Sequence, residues 1–181
     1  MNTAGAGRLS IEAIDALIRD IADFPKPGIL FKDITPLLGD PRGLSSVADH
    51  LSEPWMDRGI TLVAGVEARG FLLAPMVAAR IGVGMVPIRK PGKLPYASAR
   101  QEYALEYGTD ALEMHIDAVG VGDRVLVIDD VLATGGTAGA AVSLIRSVGG
   151  VVAGAAFVIE LAFLEGRVAL TDVEVTSVLR Y

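Results

Sequence analysis

Residues 125–137, VLVIDDVLATGGT, constrain the fold more than any other stretch of the chain. Val125, Leu126, Val127 and Ile128 form an apolar, largely β-branched run. Such a run predicts a strand buried on both faces, as in a parallel sheet, here ending at the two carboxylates Asp129 and Asp130. A short turn rich in Gly and Thr follows, and then Ala141, Leu144, Ile145 and Val148 recur at helical spacing. Strand, glycine-rich turn and helix together specify an α/β unit with its turn at the strand's carboxyl end.

That turn is suited to an anion. Backbone N–H groups at a helix start have no partner within the helix and lie at its positive dipole end, and Gly135 and Gly136 let the backbone close around an oxyanion. Thr134 and Thr137 add hydroxyl donors. Asp129 and Asp130 would repel a bare phosphate, but they suit a polyol whose hydroxyls donate to carboxylates, with a divalent cation relieving the remaining charge. The stretch therefore points to a sugar phosphate. An ordinary βα turn is the plainer alternative, and the agreement of strand, paired acids, turn and helix weighs against it. A nucleoside-triphosphate loop is excluded because Gly92-Lys93 is followed by Leu94, and no Gly-x-Gly-x-x-Gly occurs.

The rest of the chain fits around this unit. At 181 residues and 51% hydrophobic it is long enough for one sizeable core, and the sequence predicts a single domain with a small N-terminal lobe. No uncharged run reaches the ~20 apolar residues of a membrane span. The first ten residues lack the apolar core of a signal peptide and there is no cysteine, so a cytoplasmic enzyme is expected. A net charge of -6 argues against nucleic acid as the main partner. Between Glu67 and Arg100, however, six cations face the single acid Glu67. This is either a solvated basic face or an anion funnel.

Ser10 is placed to cap a helix carrying Ile11, Ile14, Leu17, Ile18 and Ile21 on one stripe, which ends before the Pro- and Gly-rich residues 24–28. A second helix is expected after Pro41, with Leu44, Val47, Ala48 and Leu51 inward and His50 at its surface. Strands at 61–65, 84–88, 151–159 and 173–179 alternate with helices, which predicts a mostly parallel sheet flanked by helices and ligands at its carboxyl edge. Residues 94–110 show no buried periodicity, which suggests a structureless flap. In 112–117 the acid–imidazole–acid face of Glu113, His115 and Asp117 allows a metal reading, but alternation with Leu112, Met114 and Ile116 favours a half-exposed strand.

Five segments, FPKPGILFKDITPLL, VEARGF, RKPGKLP, LEYGTD and IDDVLATGGT, occur in the order and spacing of one family. On them the chain from about residue 24 onward resembles the adenine phosphoribosyltransferases, type I phosphoribosyltransferases of purine salvage. The resemblance implies the type I fold, with an N-terminal hood over roughly residues 1–34 and a core over 35–181. It also implies the reaction: adenine joins 5-phosphoribosyl 1-pyrophosphate (PRPP) to give AMP and pyrophosphate, with Mg2+ and usually as a homodimer.

Carried over by residue, Asp129 and Asp130 would hold the ribose hydroxyls. Ala133, Thr134, Gly135, Gly136 and Thr137 would hold the 5-phosphate. Glu67, Ala68, Arg69, Arg89 and Lys93 would meet the pyrophosphate, with a cis bond between Glu67 and Ala68. Glu106, with Tyr107 beside it, would accept the N9 proton, and Leu30, Phe31 and Lys32 would frame adenine. Many relatives carry Arg where this chain has Lys32, which exchanges a planar fork for a point charge. No dedicated metal ligands are implied, since Mg2+ would be held mainly by PRPP and water near Asp129 and Asp130. Relatives acting on hypoxanthine and guanine carry an acid where this chain has Ala133, so a 6-amino purine is favoured over a 6-oxo purine; a related transferase for orotate, xanthine or guanine, differing in the base pocket, is the alternative. Regulators that keep the fold as a PRPP sensor usually add a nucleic-acid-binding module, and none is expected here.

Overall fold

A computed structural model of the protein describes residues 7–105 and 108–181. The chain forms two compact units that divide between His50 and Leu51.

In the first unit, Ser10 caps helix α1 (Ile11–Asp15), its Oγ accepting from the Ala13 amide at 3.3 Å. The helix does not run on to Ile21 as its stripe suggests. It is one turn long, and Arg19–Ala22 instead form strand β1, antiparallel to β2 (Leu30–Asp33), with Ile21 opposite Phe31. Over so few residues the helical spacing competes with a strand ladder, and the available partner strand decides. The turn between the strands contains a cis Phe24–Pro25 bond. Phe24 meets Phe31 edge-on, with ring centroids 5.2 Å apart. Helices α2 (Thr35–Gly39) and α3 (Pro41–Ser52) follow, the latter beginning at the expected proline. His50 is half-buried, its Nε2 3.0 Å from the Leu9 carbonyl oxygen.

The second unit is built on a parallel sheet. Its chain order is β3 (Leu62–Val66), α4 (Gly70–Ile81), β4 (Gly84–Ile88), β5 (Ser98–Leu105), β6 (Gly108–His115), β7 (Arg124–Leu132), α5 (Gly136–Ser147), β8 (Val151–Glu160) and β9 (Val175–Arg180). Five strands in the order β4-β3-β7-β8-β9 make the sheet, all parallel. Alternation along β3 and β7 sends Ala64, Val66, Val125 and Val127 into the core shared with α5, while Gly65 faces Ala74 of α4. The two helices therefore cover opposite faces, the arrangement a parallel sheet requires. Among the described residues no helix is long and apolar enough to cross a membrane.

Two sequence expectations change here. Strand β7 does not stop at Ile128 but passes through both carboxylates to Leu132, because β8 offers a ladder that far: Asp129 pairs with Phe157 and Leu132 with Glu160. Residues 98–105 are not structureless either. They pair antiparallel with β6 from Ser98–His115 to Leu105–Gly108, and half-buried Ala99, Gln101 and Tyr103 alternate with exposed neighbours. Leu112 and Met114 are buried as expected, but the strand ends at His115 and Ile116 is half exposed. The hairpin joins the sheet region through Arg89 and Glu113, whose backbone groups exchange two 2.8 Å hydrogen bonds.

Candidate active site

From β3 the chain moves outward to β4, and from β7 it moves the opposite way to β8. The switch in direction leaves a crevice beyond the carboxyl ends of β3 and β7, the place where open α/β sheets bind ligands. Into it come the loop after β3, with Glu67, Ala68 and Arg69, and the end of β7, with Asp129 and Asp130. The peptide bond between Glu67 and Ala68 is cis.

This loop and β7 meet through side chains 61 residues apart. Arg69 Nε donates to Asp130 Oδ2, and Asp130 is buried. Asp129 Oδ1 accepts from the Asp130 amide at 2.9 Å. Burial, together with the adjacent Asp130 charge, pushes the Asp129 carboxyl well above the usual carboxylate range. An acid so placed gains from hydroxyl donors or a cation that supports its ionised form. Carboxylate oxygens suit a hard ion such as Mg2+, which is commonly held by one or two carboxylates plus substrate phosphates.

Gly70 is needed where α4 begins. A Cβ there would stand 2.6 Å from the Ile128 carbonyl oxygen and 3.2 Å from Asp129 Oδ1. The helix start therefore lies directly on the backbone of β7. On the other side of Asp130, the turn at 133–135 leads into α5, with Gly135 at the helix cap in the left-handed region at φ 84°. The amides of the first turn of α5 lie at its positive end.

The basic stretch is not a bare funnel. Arg89 grips Glu67 through Nε (3.2 Å) and Nη2 (3.4 Å), lies 5.7 Å from the Phe71 ring centroid and donates to the Lys93 carbonyl at 3.1 Å. Burial acts to raise the Glu67 carboxyl, but the Lys90 amide at 2.9 Å and the Arg89 guanidinium outweigh it and hold the group below its ordinary value. Lys90 Nζ pairs with Asp110 and donates to Tyr103 Oη at 2.9 Å. Arg100 faces Glu102 at 3.1 Å and Glu113 at 3.7 Å. Counting charges along the chain missed this, because Asp110, Glu102, Glu113 and Asp130 arrive from elsewhere in the sequence. Glu113, weighed above as a metal ligand, also accepts the Gly92 amide at 3.0 Å.

Tyr103 extends the network. Its hydroxyl donates to Asp110 at 3.1 Å and accepts from Thr137 Oγ1 at 3.3 Å, so the hairpin touches the first turn of α5. Lys90 and Tyr103 were visible in the sequence only as a cation and a polar ring in a patternless stretch. Glu106 and Tyr107 lie outside the described residues. Leu30, Phe31 and Lys32 sit on β2 of the first unit, with Leu30 half exposed and Lys32 Nζ 2.7 Å from Asp20.

The chain matches the phosphoribosyl transferase domain over residues 40–178. It is 57% identical over 171 residues to an adenine phosphoribosyltransferase of Methylococcus capsulatus, covering 94% of this chain and all of that one. Among solved structures it is similar to the Rhodothermus marinus adenine phosphoribosyltransferase, with a TM-score of 0.90, 52% identity and coverage of 94% and 98% of the two chains. It is also similar to the Saccharomyces cerevisiae enzyme bound to D-2,5-dideoxy-2,5-imino-altritol 1,6-bisphosphate and adenine, with a TM-score of 0.88, 36% identity and coverage of 93% and 98%.

Proposed function

This chain belongs to the phosphoribosyltransferase family, and we infer from that premise that it transfers the 5-phosphoribosyl group of PRPP to N9 of adenine, giving AMP and pyrophosphate. The observation that carries the chemistry is the switch-point crevice, where a cation-bearing loop, paired carboxylates and a glycine-capped helix start converge. The choice of adenine rests on near full-length similarity to adenine phosphoribosyltransferases.

In this reading Asp129 and Asp130 receive the ribose hydroxyls. The backbone of 133–137 and the hydroxyls of Thr134 and Thr137 receive the 5-phosphate. Breaking the bond from C1 to pyrophosphate leaves positive charge on the sugar and negative charge on the departing oxygens, so fixed cations aimed at the latter lower the barrier. Arg69, with the backbone of Glu67 and Ala68, and Arg89 and Lys93 beyond them, serve that end. Mg2+ would be held mainly by PRPP and water near Asp129 and Asp130, and when bound it would offset pyrophosphate charge. Glu106 takes the N9 proton, Tyr107 lies next to it in sequence, and Leu30, Phe31 and Lys32 frame the base. The hairpin excludes water that would otherwise hydrolyse PRPP. A homodimer acting in cytoplasmic purine salvage completes the proposal.

A pyrophosphate-release assay with PRPP and Mg2+ tests it, with adenine, hypoxanthine, guanine and orotate offered separately. Turnover with adenine alone is expected. Binding of PRPP without turnover of any base would overturn the enzyme assignment in favour of a sensor. Glu106→Gln should lower kcat far more than PRPP affinity, and an equal loss of both would contradict its role.

A further inference from the structure

The turn at 133–135 does not stand alone; a second piece of backbone is packed against it. A Cβ on Gly135 would lie 2.3 Å from the Gly166 carbonyl oxygen and 2.8 Å from Ala169 Cβ. A Cβ on Gly166 would lie 2.2 Å from the Ala133 carbonyl oxygen and 3.0 Å from Leu132 Cγ. The two backbones are thus in direct contact, with no side chain between them to absorb a shift.

What fixes the second piece is an ion pair to a buried carboxylate. Gly166–Leu170 is a single 3-10 turn, too short to hold its own shape. Arg167 within it donates through Nε and Nη2 to the two oxygens of Glu160, at 2.8 and 2.7 Å, and through Nη1 to the Val175 carbonyl at 3.1 Å. Glu160 is the last residue of β8, directly beside Leu132 in the ladder, and its side chain is only 4% exposed. Ser177 Oγ also donates to it at 2.8 Å, and Arg180 stands 3.5 Å away. A two-pronged guanidinium–carboxylate contact fixes orientation as well as distance. The carboxylate is therefore anchored to the same strand pair that carries Asp129 and Asp130.

We propose that Glu160 and Arg167 are positioning residues for the 5-phosphate end of PRPP, clamping the 166–170 turn as a backstop that sets the backbone of 133–135. The proposal rests on the assignment of 133–137 to the 5-phosphate. Loss of the clamp lets the backstop retreat, and a misplacement of about 1 Å can cost roughly 100-fold. Its signature is selective: contacts to the 5-phosphate weaken, while those made by the loop after β3 do not.

Ribose 5-phosphate and pyrophosphate, titrated separately into the full-length protein by calorimetry, divide the two ends of the substrate. Arg167→Met and Gly166→Ala should each weaken ribose 5-phosphate about tenfold or more, leave pyrophosphate affinity within threefold, and raise the KM for PRPP more than that for adenine. Arg167→Lys should recover part of the loss, and Ser177→Ala, which removes one bond to Glu160 and retains the ion pair, should show a smaller loss of the same kind. Thr137→Val serves as the check on the loop itself. If Thr137→Val loses ribose 5-phosphate affinity and the Arg167 and Gly166 variants do not, the backstop is overturned while the phosphate assignment stands. If Thr137→Val binds ribose 5-phosphate as the wild type does, the assignment fails and the proposal with it. Folded Arg167 and Ser177 variants that lose both ligands equally would also overturn it, as that pattern marks general destabilisation.

Discussion

Replacing Gly70 with Ala tests whether the loop after β3 must sit directly on β7. The added methyl carbon would lie 2.6 Å from the Ile128 carbonyl oxygen, and reaching an ordinary contact of 3.4 Å requires a displacement of about 0.8 Å. Both sides are backbone, one the first turn of α4 and the other a central strand, so no side-chain rotation relieves the clash. Elsewhere a Gly→Ala change in a helix gains roughly 0.4–1 kcal/mol. Here overpacking should outweigh that gain, for a net loss of about 1–3 kcal/mol. The functional cost should be larger, because the displaced loop carries Arg69, whose guanidinium holds Asp130. A shift of this size at a binding site reduces kcat/KM by roughly 100-fold, or about 2.7 kcal/mol of transition-state stabilisation. Steady-state kinetics with PRPP and adenine varied in turn, alongside thermal melts, measure both effects. Gly84→Ala provides the control, since its Cβ would meet only the tip of Leu62 at 3.3 Å. If Gly70→Ala keeps kcat/KM for PRPP within threefold of the wild type and melts at the same temperature, the close approach has no functional meaning.

Three further outcomes follow from other contacts. Gly154→Ala should lose about 3 kcal/mol in urea denaturation, because its Cβ would come within 1.9 Å of Trp55 Cη2; Trp55→Phe in the same chain should return part of that loss, so simple additivity would refute the packing. Asp33, which accepts from Thr35 and Arg19, has its carboxyl lowered to about 2. Its stabilising effect is thus complete above the unfolded value of about 4. It is lost as the pH falls through 2, so the acid-induced loss of stability between these values should be smaller in Asp33→Asn than in the wild type. Lys90→Met removes the cation shared by Asp110 and Tyr103, and because all three side chains are partly solvated the loss should be about 1 kcal/mol; a loss beyond 3 kcal/mol would mean the network is far less hydrated than its exposure indicates.

Much of the architecture was legible because it repeats a local pattern. The apolar run at 125–128, the strand at 84–88 and the helix after Pro41 follow from periodicity, and the alternation of strands and helices led to a parallel sheet with ligands at its carboxyl edge. The paired acids and the Gly-Thr turn pointed to a sugar phosphate from their chemistry alone. Where local patterns were weak they misled. Ile18 and Ile21 fit a helical stripe, yet Ile21 lies in a strand because Phe31 is there to pair with it. The 112–117 alternation marked the second strand of the hairpin, but its partner at 98–105 carries no such signal, because its inward positions are Ala99, Gln101 and Tyr103, too small or too polar to register as an alternating apolar face.

By itself, then, the sequence determined that a buried strand, a glycine-rich turn and a helix follow one another around the paired acids, since backbone sterics and side-chain periodicity act over a few residues. Only the tertiary structure decided which charges remain available. It brought Asp130 to Arg69, Glu67 to Arg89 and Asp110 to Lys90, turning a locally basic stretch into a set of ion pairs. It also set Gly166 against Ala133 and tied Glu160 to Arg167. Such contacts depend on strand order and on which backbones have no Cβ between them, and neither property is written in any short window of the chain.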